Sequence, residues 1–136
     1  MDEVYKPIYN RLVALAGTVK VFFEYAPEID PATSKTPKLP YVTYNLPTST
    51  ESWQREDLIL EIDIWDKAAD TTTIDQLVDT IDGDGAVTNA SGLHRYLYHA
   101  SGKPVLKIYR MNKLMLPDPD PDIKRRQLRY MVKWFK

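Results

Sequence analysis

The sequence predicts an α+β protein with a mixed, mainly antiparallel sheet of about four to six strands and two helices packed on one face. Three observations lead to this prediction. Leu58, Leu60, Ile62 and Ile64 alternate with outward-facing positions, as in a strand with one buried face. Apolar residues recur at helical spacing near the N-terminus and again after residue 70. The remaining strand-like segments are close neighbours in sequence, which favours antiparallel pairing.

The chain length is that of one domain, and two of its loops are expected to be exposed. A chain of 136 residues without an internal repeat or a boundary predicts a single domain spanning 1–136. A Pro-rich loop is expected at about 26–40 and an acidic Pro-rich loop at about 116–122, because both segments lack the apolar residues needed to pack.

The N-terminal half predicts a helix followed by strands. Pro7 suits the first turn of a helix, Gly17 can end it, and its apolar stripe is Ile8, Leu12, Leu15 and Ala16. Val19–Tyr25 is rich in β-branched and aromatic residues and predicts a strand. Tyr41–Leu46 predicts another strand, which Pro47 is expected to end, and the strand with strict alternation follows it.

The C-terminal half predicts a second helix and more strands. Asp70 or Thr71 can cap a helix whose apolar face is Ile74, Leu77, Val78 and Ile81, and the Asp-Gly-Asp-Gly turn at 82–85 ends it. Leu93–His99 predicts a short strand and Val105–Met111 a better one. Ile123–Phe135 predicts a long final strand with Leu128, Tyr130, Val132 and Trp134 on one face.

Composition excludes several classes of function. The chain has no cysteine, so disulfides, thiolate metal sites and catalytic thiols are excluded. A formal charge of −1 disfavours a domain that binds nucleic acid through phosphate contacts. The N-terminus does not resemble a signal peptide, and no segment is long and apolar enough for a membrane span. We therefore expect a chain made in the cytoplasm, without membrane or nucleic-acid partners.

No motif in the sequence predicts catalysis, a metal site or a cofactor. The Asp-Gly-Asp-Gly run invites a calcium interpretation, but in that register the first ligand would be Thr80 and the bidentate acid would be Ser91. Asp120 and Asp122 beside Lys124 are too close together for the acids of a metal-dependent nuclease. His94 and His99, five apart in a predicted strand, would face opposite ways. We expect no catalytic, metal or cofactor residues, and no enzyme.

The final strand instead suggests a surface that meets another protein. Its second face mixes cations with large apolar residues, which is typical of such surfaces. The predicted interface residues are Lys124, Arg125, Arg126, Arg129, Lys133 and Phe135, together with Asp118, Asp120 and Asp122 of the acidic loop and Trp53. A solvated outer face is the alternative explanation of this pattern.

The order of these elements resembles the small tail-completion proteins of long-tailed bacteriophages and prophages, which include tail terminators and tail-to-head joining proteins. The resemblance spans nearly the whole chain. It rests on a helix ending in Leu15-Ala16-Gly17, the strand Leu39–Tyr44 after a variable loop, the strand Leu60–Trp65 leading into a helix, and the charged closing strand Arg125–Val132. Segment 83–103 departs most from the family pattern.

The resemblance implies a structural role. Family members are not enzymes, use no cofactor, and assemble as a ring, typically six-fold, at the head-proximal end of the tail tube. There the ring stops tube growth and joins the tail to the head connector. The implied partners are further copies of the chain, the tail-tube protein and the head-connector protein, and the implied location is the virion tail. A subunit that is monomeric or weakly associating alone is consistent with this role.

Ring contacts require two complementary patches on each subunit. One hypothesis pairs the basic final strand with the acidic turn, or with the acidic face of the alternating strand, on the next subunit. Two other classes of function stay open at this stage. The basic C-terminal strand, with Tyr130, Trp134 and Phe135 as stacking surfaces, could serve a small nucleic-acid-binding adaptor. The other is a small hydrolase or isomerase with an unconventional carboxylate site.

Overall fold

The described part of the chain folds into two helices and six strands. A computed structural model describes residues 2–31, 34–52, 54–67, 71–101, 105–117 and 120–135. In chain order the elements are α1 (Asp2–Ala16), β1 (Lys20–Phe23), β2 (Tyr41–Ser52), β3 (Arg55–Lys67), α2 (Thr72–Asp82), β4 (Tyr96–Tyr98), β5 (Val105–Leu116) and β6 (Ile123–Phe135). The predicted α+β class, with a mixed and mainly antiparallel sheet, is confirmed.

The six strands form one sheet in the order β1-β2-β3-β6-β5-β4. β1 is parallel to β2, and all other neighbours are antiparallel. The two central strands, β3 and β6, pair over their whole length, from Arg55 opposite Phe135 to Lys67 opposite Ile123. The sheet therefore has a continuous centre and shorter strands at both edges.

The hydrophobic core lies between one face of the sheet and the two helices. Every second residue of β3 from Leu58 to Ile64 is fully or almost fully buried, and the four predicted residues of β6 are buried on the same face. The helices supply Val4, Ile8, Leu12, Ile74, Val78 and Ile81. The apolar residues at every second position of the strands thus face the apolar residues spaced three to four apart in the helices, and together they form one apolar layer.

Helix α1 is longer than predicted. It begins at Asp2, so Pro7 lies inside the helix and not in its first turn. Proline cannot donate the backbone hydrogen bond expected there. Val4 extends the apolar stripe of Ile8 and Leu12 by one turn and is fully buried, and this burial offsets the lost bond.

Strand β2 does not end at Pro47 as predicted, but continues to Ser52. The pairing with β3 shifts between Asn45 and Thr48, which leaves Leu46 and Pro47 out of the ladder. A bulge tolerates proline because no ladder hydrogen bond is required from it. The segment after Pro47, predicted as a polar link, is therefore the part of β2 that lies next to the hairpin turn with β3.

The two histidines do not share a strand as predicted. Strand β4 spans Tyr96–Tyr98 only, so His94 and His99 flank it. The Nδ1 atom of His94 accepts a hydrogen bond of 3.0 Å from the backbone N–H of Arg110. The imidazole thus occupies the edge of β5 directly beyond the end of β4. Strand β5 itself runs to Leu116, five residues further than predicted.

Helix α2 ends as predicted, but starts without the expected cap. Thr71 takes the N-cap position and makes no side-chain capping bond, and Asp70 lies outside the described residues. After Asp82 the chain turns at Gly83, whose φ of 82° is in the left-handed region. A Cβ atom on Gly83 would overlap the backbone of Gly92, and one on Gly92 would overlap Asp82.

The segment between α2 and β4 has little regular structure, but side chains hold it in place. The carboxylate of Asp84 accepts hydrogen bonds from the N–H groups of Ala86 and Ser91, which lowers the pKa of Asp84. Arg11 of α1 donates to the carbonyls of Ala90 and Gly92. Helix α1 and this segment are therefore packed together, although about 80 residues separate them in the sequence.

Within the Pro-rich loop, Asp30 and Lys35 form an isolated antiparallel bridge. No helix among the residues that the structure describes is long and apolar enough to cross a membrane.

Candidate interaction surface

The predicted interface residues of β6 divide between the two faces of the sheet. Arg125, Arg129, Lys133 and Phe135 lie on the face away from the helices, which we call the outer face. Lys124 and Arg126 lie on the helix side. The division follows from the period of two, which sends neighbouring side chains to opposite faces.

Arg125 is the most extensively bonded residue of the outer face. Its guanidinium lies 3.0 Å from Oδ1 of Asp63 on β3 and stacks over the Trp65 ring, 4.5 Å from the ring centroid. Gln127 donates a second hydrogen bond to the same carboxylate oxygen, at 3.2 Å. The indole N–H of Trp65 donates a hydrogen bond of 3.3 Å to the hydroxyl of Thr43 on β2. One connected network therefore spans three strands.

The other outer-face residues also have partners within the chain. Arg129 lies 3.6 Å from Glu61. The ammonium group of Lys133 lies 5.7 Å from the ring centroid of Tyr109, and that of Lys107 lies 5.9 Å from the ring of Phe135. Asp63 and Glu61 of β3 thus pair with two of the three cations on the outer face of β6.

On the helix side, Arg126 donates to Asp75 of α2 at 3.3 Å and is largely buried. Lys124 donates to the carbonyl of Pro121 at 3.2 Å, and the carboxylate of Asp120 accepts a hydrogen bond from the N–H of Asp122 at 2.9 Å. The acidic turn and the basic start of β6 are therefore neighbours in one hairpin. Asp118 and Trp53 lie outside the described residues.

Sequence analysis missed a buried charged cluster at the end of α2. Asp82 is almost fully buried, and its carboxylate accepts a hydrogen bond of 2.8 Å from the Tyr130 hydroxyl. The same carboxylate pairs with Arg110 and lies 3.4 Å from the ammonium group of Lys113. Burial, together with the negative charge of Asp82, raises the pKa of Tyr130, which stays protonated as the donor. The sequence had predicted Asp82 only as part of the turn that ends α2.

His94 borders this charged cluster. Burial lowers its pKa below the ordinary value of 6.5, and nearby Arg110 acts in the same direction while Asp82 opposes both. With Nδ1 accepting from Arg110, the neutral ring carries its proton on Nε2. The cluster has the features of a structural tie between α2, β5 and β6, since its polar atoms bond to one another.

Exposed apolar side chains collect at the two edges of the sheet. At the β1 edge, Phe23 packs against Tyr5 and Tyr44 with ring centroids 5.1 and 5.3 Å apart. Burial, reinforced by Tyr9 and Tyr5, raises the pKa of Tyr44 to about 12. At the other edge β5 exposes Met111, Leu114 and Met115. The sequence predicted strands at Val19–Tyr25 and Val105–Met111, but not that these strands lie at the edges of the sheet.

The described residues do not supply a recognisable centre for chemistry. No group of three or more His, Asp or Glu side chains among them is placed to hold a metal ion. On the outer face Arg125 and Arg129 pair with carboxylates of β3, and within the Asp82 cluster Arg110 and Lys113 pair with Asp82. What the described surface offers is area for contact, with aromatic and methionine side chains at the edges.

Comparison with known proteins adds one structural likeness. No protein-family model matches the chain, and no curated protein matches its sequence. A solved structure described as the virion of a native gene transfer agent particle contains a chain of similar fold. The two chains are 19% identical, the match covers 98% of this chain and 92% of that chain, and the TM-score is 0.56. At this identity the likeness shows a shared fold along almost the whole chain.

Proposed function

We propose that the protein is a structural component of a phage-like virion and not an enzyme. More specifically, it acts as a tail-completion subunit that forms a ring, typically six-fold, at the head-proximal end of the tail tube. The ring ends tube growth and joins the tail to the head connector. Its partners are further copies of the chain, the tail-tube protein and the head-connector protein, and its site of action is the virion tail.

The observation that carries this proposal is the fold likeness to a virion chain over nearly the full length of both chains. The order of helices and strands that resembled the tail-completion family is also the order in the structure. Fold alone does not determine function, so the proposal also depends on the surface.

The two ends of the sheet suit a ring that contacts different partners above and below. One end carries the β5–β6 turn at 117–122, and the opposite end carries the β2–β3 turn and Phe135. The first end is acidic, with Asp120 and Asp122 exposed. We propose that these two ends face the tube and the connector. Asp118 and Trp53, which lie outside the described residues, stay proposed contact residues.

The cations of β6 have a more limited part in this proposal. Arg125 and Arg129 on the outer face and Arg126 on the helix side are all paired within the chain, so they leave little free charge for a partner. Lys124, Lys133 and Phe135 stay proposed contact residues. The same pairing weighs against the nucleic-acid adaptor, since a phosphate would have to displace a carboxylate from each arginine.

Deletion of the gene in a strain that produces the particles tests the proposal. Electron micrographs should then show overlong tail tubes, or heads and tails that stay unjoined, and a plasmid copy should restore normal particles. Particles of normal length and assembly without the protein would contradict the tail role. Salt-sensitive binding of the purified protein to DNA or RNA would support the adaptor instead.

A further inference from the structure

We propose that neighbouring copies of the chain join edge to edge, with β5 of one subunit pairing antiparallel to β1 of the next. The contact segments are Lys113–Leu116 on β5 and Lys20–Phe23 on β1. This inference rests on the proposed ring and names the surfaces that close it.

The two contact segments occupy matching positions at opposite edges of the sheet. Following the pairing across all strands, Lys20 lies in the same row as Leu116, and Phe23 lies in the same row as Lys113. The two edges are therefore at the same height along the strands. A rotation about an axis parallel to the strands brings them together without any rise, and this is the condition for a closed ring and not an open helix.

The directions of β1 and β5 suit antiparallel pairing between neighbouring copies. β1 runs parallel to β2, and three antiparallel steps separate β2 from β5, so β1 and β5 run in opposite directions. The same rotation keeps these directions and places the outer faces of neighbouring subunits on the same side. Leu114 then stands opposite Phe22 on the outer face, and Met115 stands opposite Val21 on the helix side. The sheets of adjacent subunits continue as one antiparallel ladder.

In the part of the chain that the structure describes, both edges are unpaired and expose apolar side chains. β1 is the first strand in the sheet, and β4 pairs with β5 only up to Ile108, after which His94 takes the N–H of Arg110. Beyond that point β5 exposes 72% of Met115 and 48% of Met111, and at or next to β1 the chain exposes 42% of Phe23 and 71% of Tyr25. Soluble proteins usually protect free edges with charges, bulges or proline, so such edges indicate a partner.

The two edges also complement each other chemically. Methionine side chains on one edge and aromatic rings on the other make favourable sulfur–aromatic contacts. A second copy of the chain therefore fits both edges at once. Because only four residues of β1 take part, the contact is small and associates weakly until a tail tube assembles the subunits.

Disulfide cross-linking tests the contact, because the chain has no cysteine of its own. A double variant, Lys20→Cys with Leu116→Cys, places one thiol on each edge in the same row. Oxidation of complemented particles should give a ladder of covalent multimers up to the closed ring. Each single variant can give dimers at most, and Lys20→Cys with Val87→Cys is a matched control, since Val87 is exposed on the segment between α2 and β4. Particles that contain the double variant but yield only monomers would overturn the proposal.

A charge on the open edge gives a second measurement. Met115→Asp should leave the monomer folded, because that side chain is exposed, and should lower ring formation at least about tenfold, whereas Val87→Asp should not. Equal ring formation by both variants would contradict the edge contact. If the double variant gives a ladder but deletion of the gene leaves the tails normal, the contact would stand and the tail role would be overturned. Overlong tails on deletion, without a ladder from the double variant, would overturn the contact and keep the tail role.

Discussion

The two faces of the sheet use the same strands in opposite ways. On the helix side, β3 and β6 supply apolar side chains that are sealed under α1 and α2. On the outer face, the alternate residues of the same strands form cross-strand pairs, such as Arg125 with Asp63 and Arg129 with Glu61. One face is stabilised by burial from water and the other by polar pairing in partial contact with water.

This difference shows why charge in a sequence is a poor guide to an interface. In the sequence the basic residues of β6 look available to a partner. The sheet, however, places Arg129 opposite Glu61 and brings Arg125, which stands opposite Trp65, within reach of Asp63. The edges, where β1 and β5 expose apolar side chains, are the less satisfied part of the surface.

Truncation of one isoleucine on each face should separate the two faces most clearly. Ile62 on β3 is fully buried under the helices, so Ile62→Ala should reduce the free energy of unfolding by about 3 kcal/mol. Ile59, three residues earlier, lies half-buried on the outer face, and Ile59→Ala should cost about 1 kcal/mol. Urea unfolding of both variants measures the difference. Equal losses would mean that the outer face is also packed as a core.

Removal of one carboxylate charge on each face should show a smaller contrast. Asp82→Asn weakens the buried acceptor of Tyr130 and Arg110, so it should destabilise the protein by about 2 kcal/mol. Asp63→Asn weakens a more accessible pair with Arg125 and should cost under about 1 kcal/mol. Thermal or urea unfolding at pH 7 tests both. A larger loss at Asp63 would reverse this order.

The smallest effect concerns pH and the edge of the charged cluster. Because burial lowers the pKa of His94 below 6.5, the unfolded chain binds a proton more readily than the folded chain. The contribution of His94 is therefore fully present above about pH 6.5 and declines as the pH falls through that value. His94→Gln should make stability less dependent on pH between 7.5 and 5.5, while His99→Gln should not. An unchanged pH dependence in His94→Gln would exclude this role.

The centre of the fold could be predicted from the sequence because its patterns are strong and local. The alternation in β3 and β6 and the helical spacing in α2 each place a complete apolar face, so the core residues of these elements were found correctly. The boundaries were less predictable. Val4 extended α1 past Pro7, and a bulge carried β2 past Pro47, because tertiary burial and pairing overrode the local effect of proline.

The candidate site could be predicted only in part, because it depends on which strands are neighbours. The residues of the charged strand were identified, but their division between two faces and their partners on β3 required the sheet order. The Asp82 cluster joins residues 28 and 48 positions apart, and no local pattern links them. The open edges of β1 and β5 were equally invisible, since an edge is defined by the strand that is absent beside it.

The contact between Gly83 and Gly92 has a consequence for the search for relatives. The backbone at the end of α2 touches the segment that returns to β4, and any side chain at either position would force the two apart. A relative that keeps this crossing must keep both glycines, even where every apolar residue has been exchanged for another. We therefore expect this spaced pair of glycines in any relative that retains the crossing.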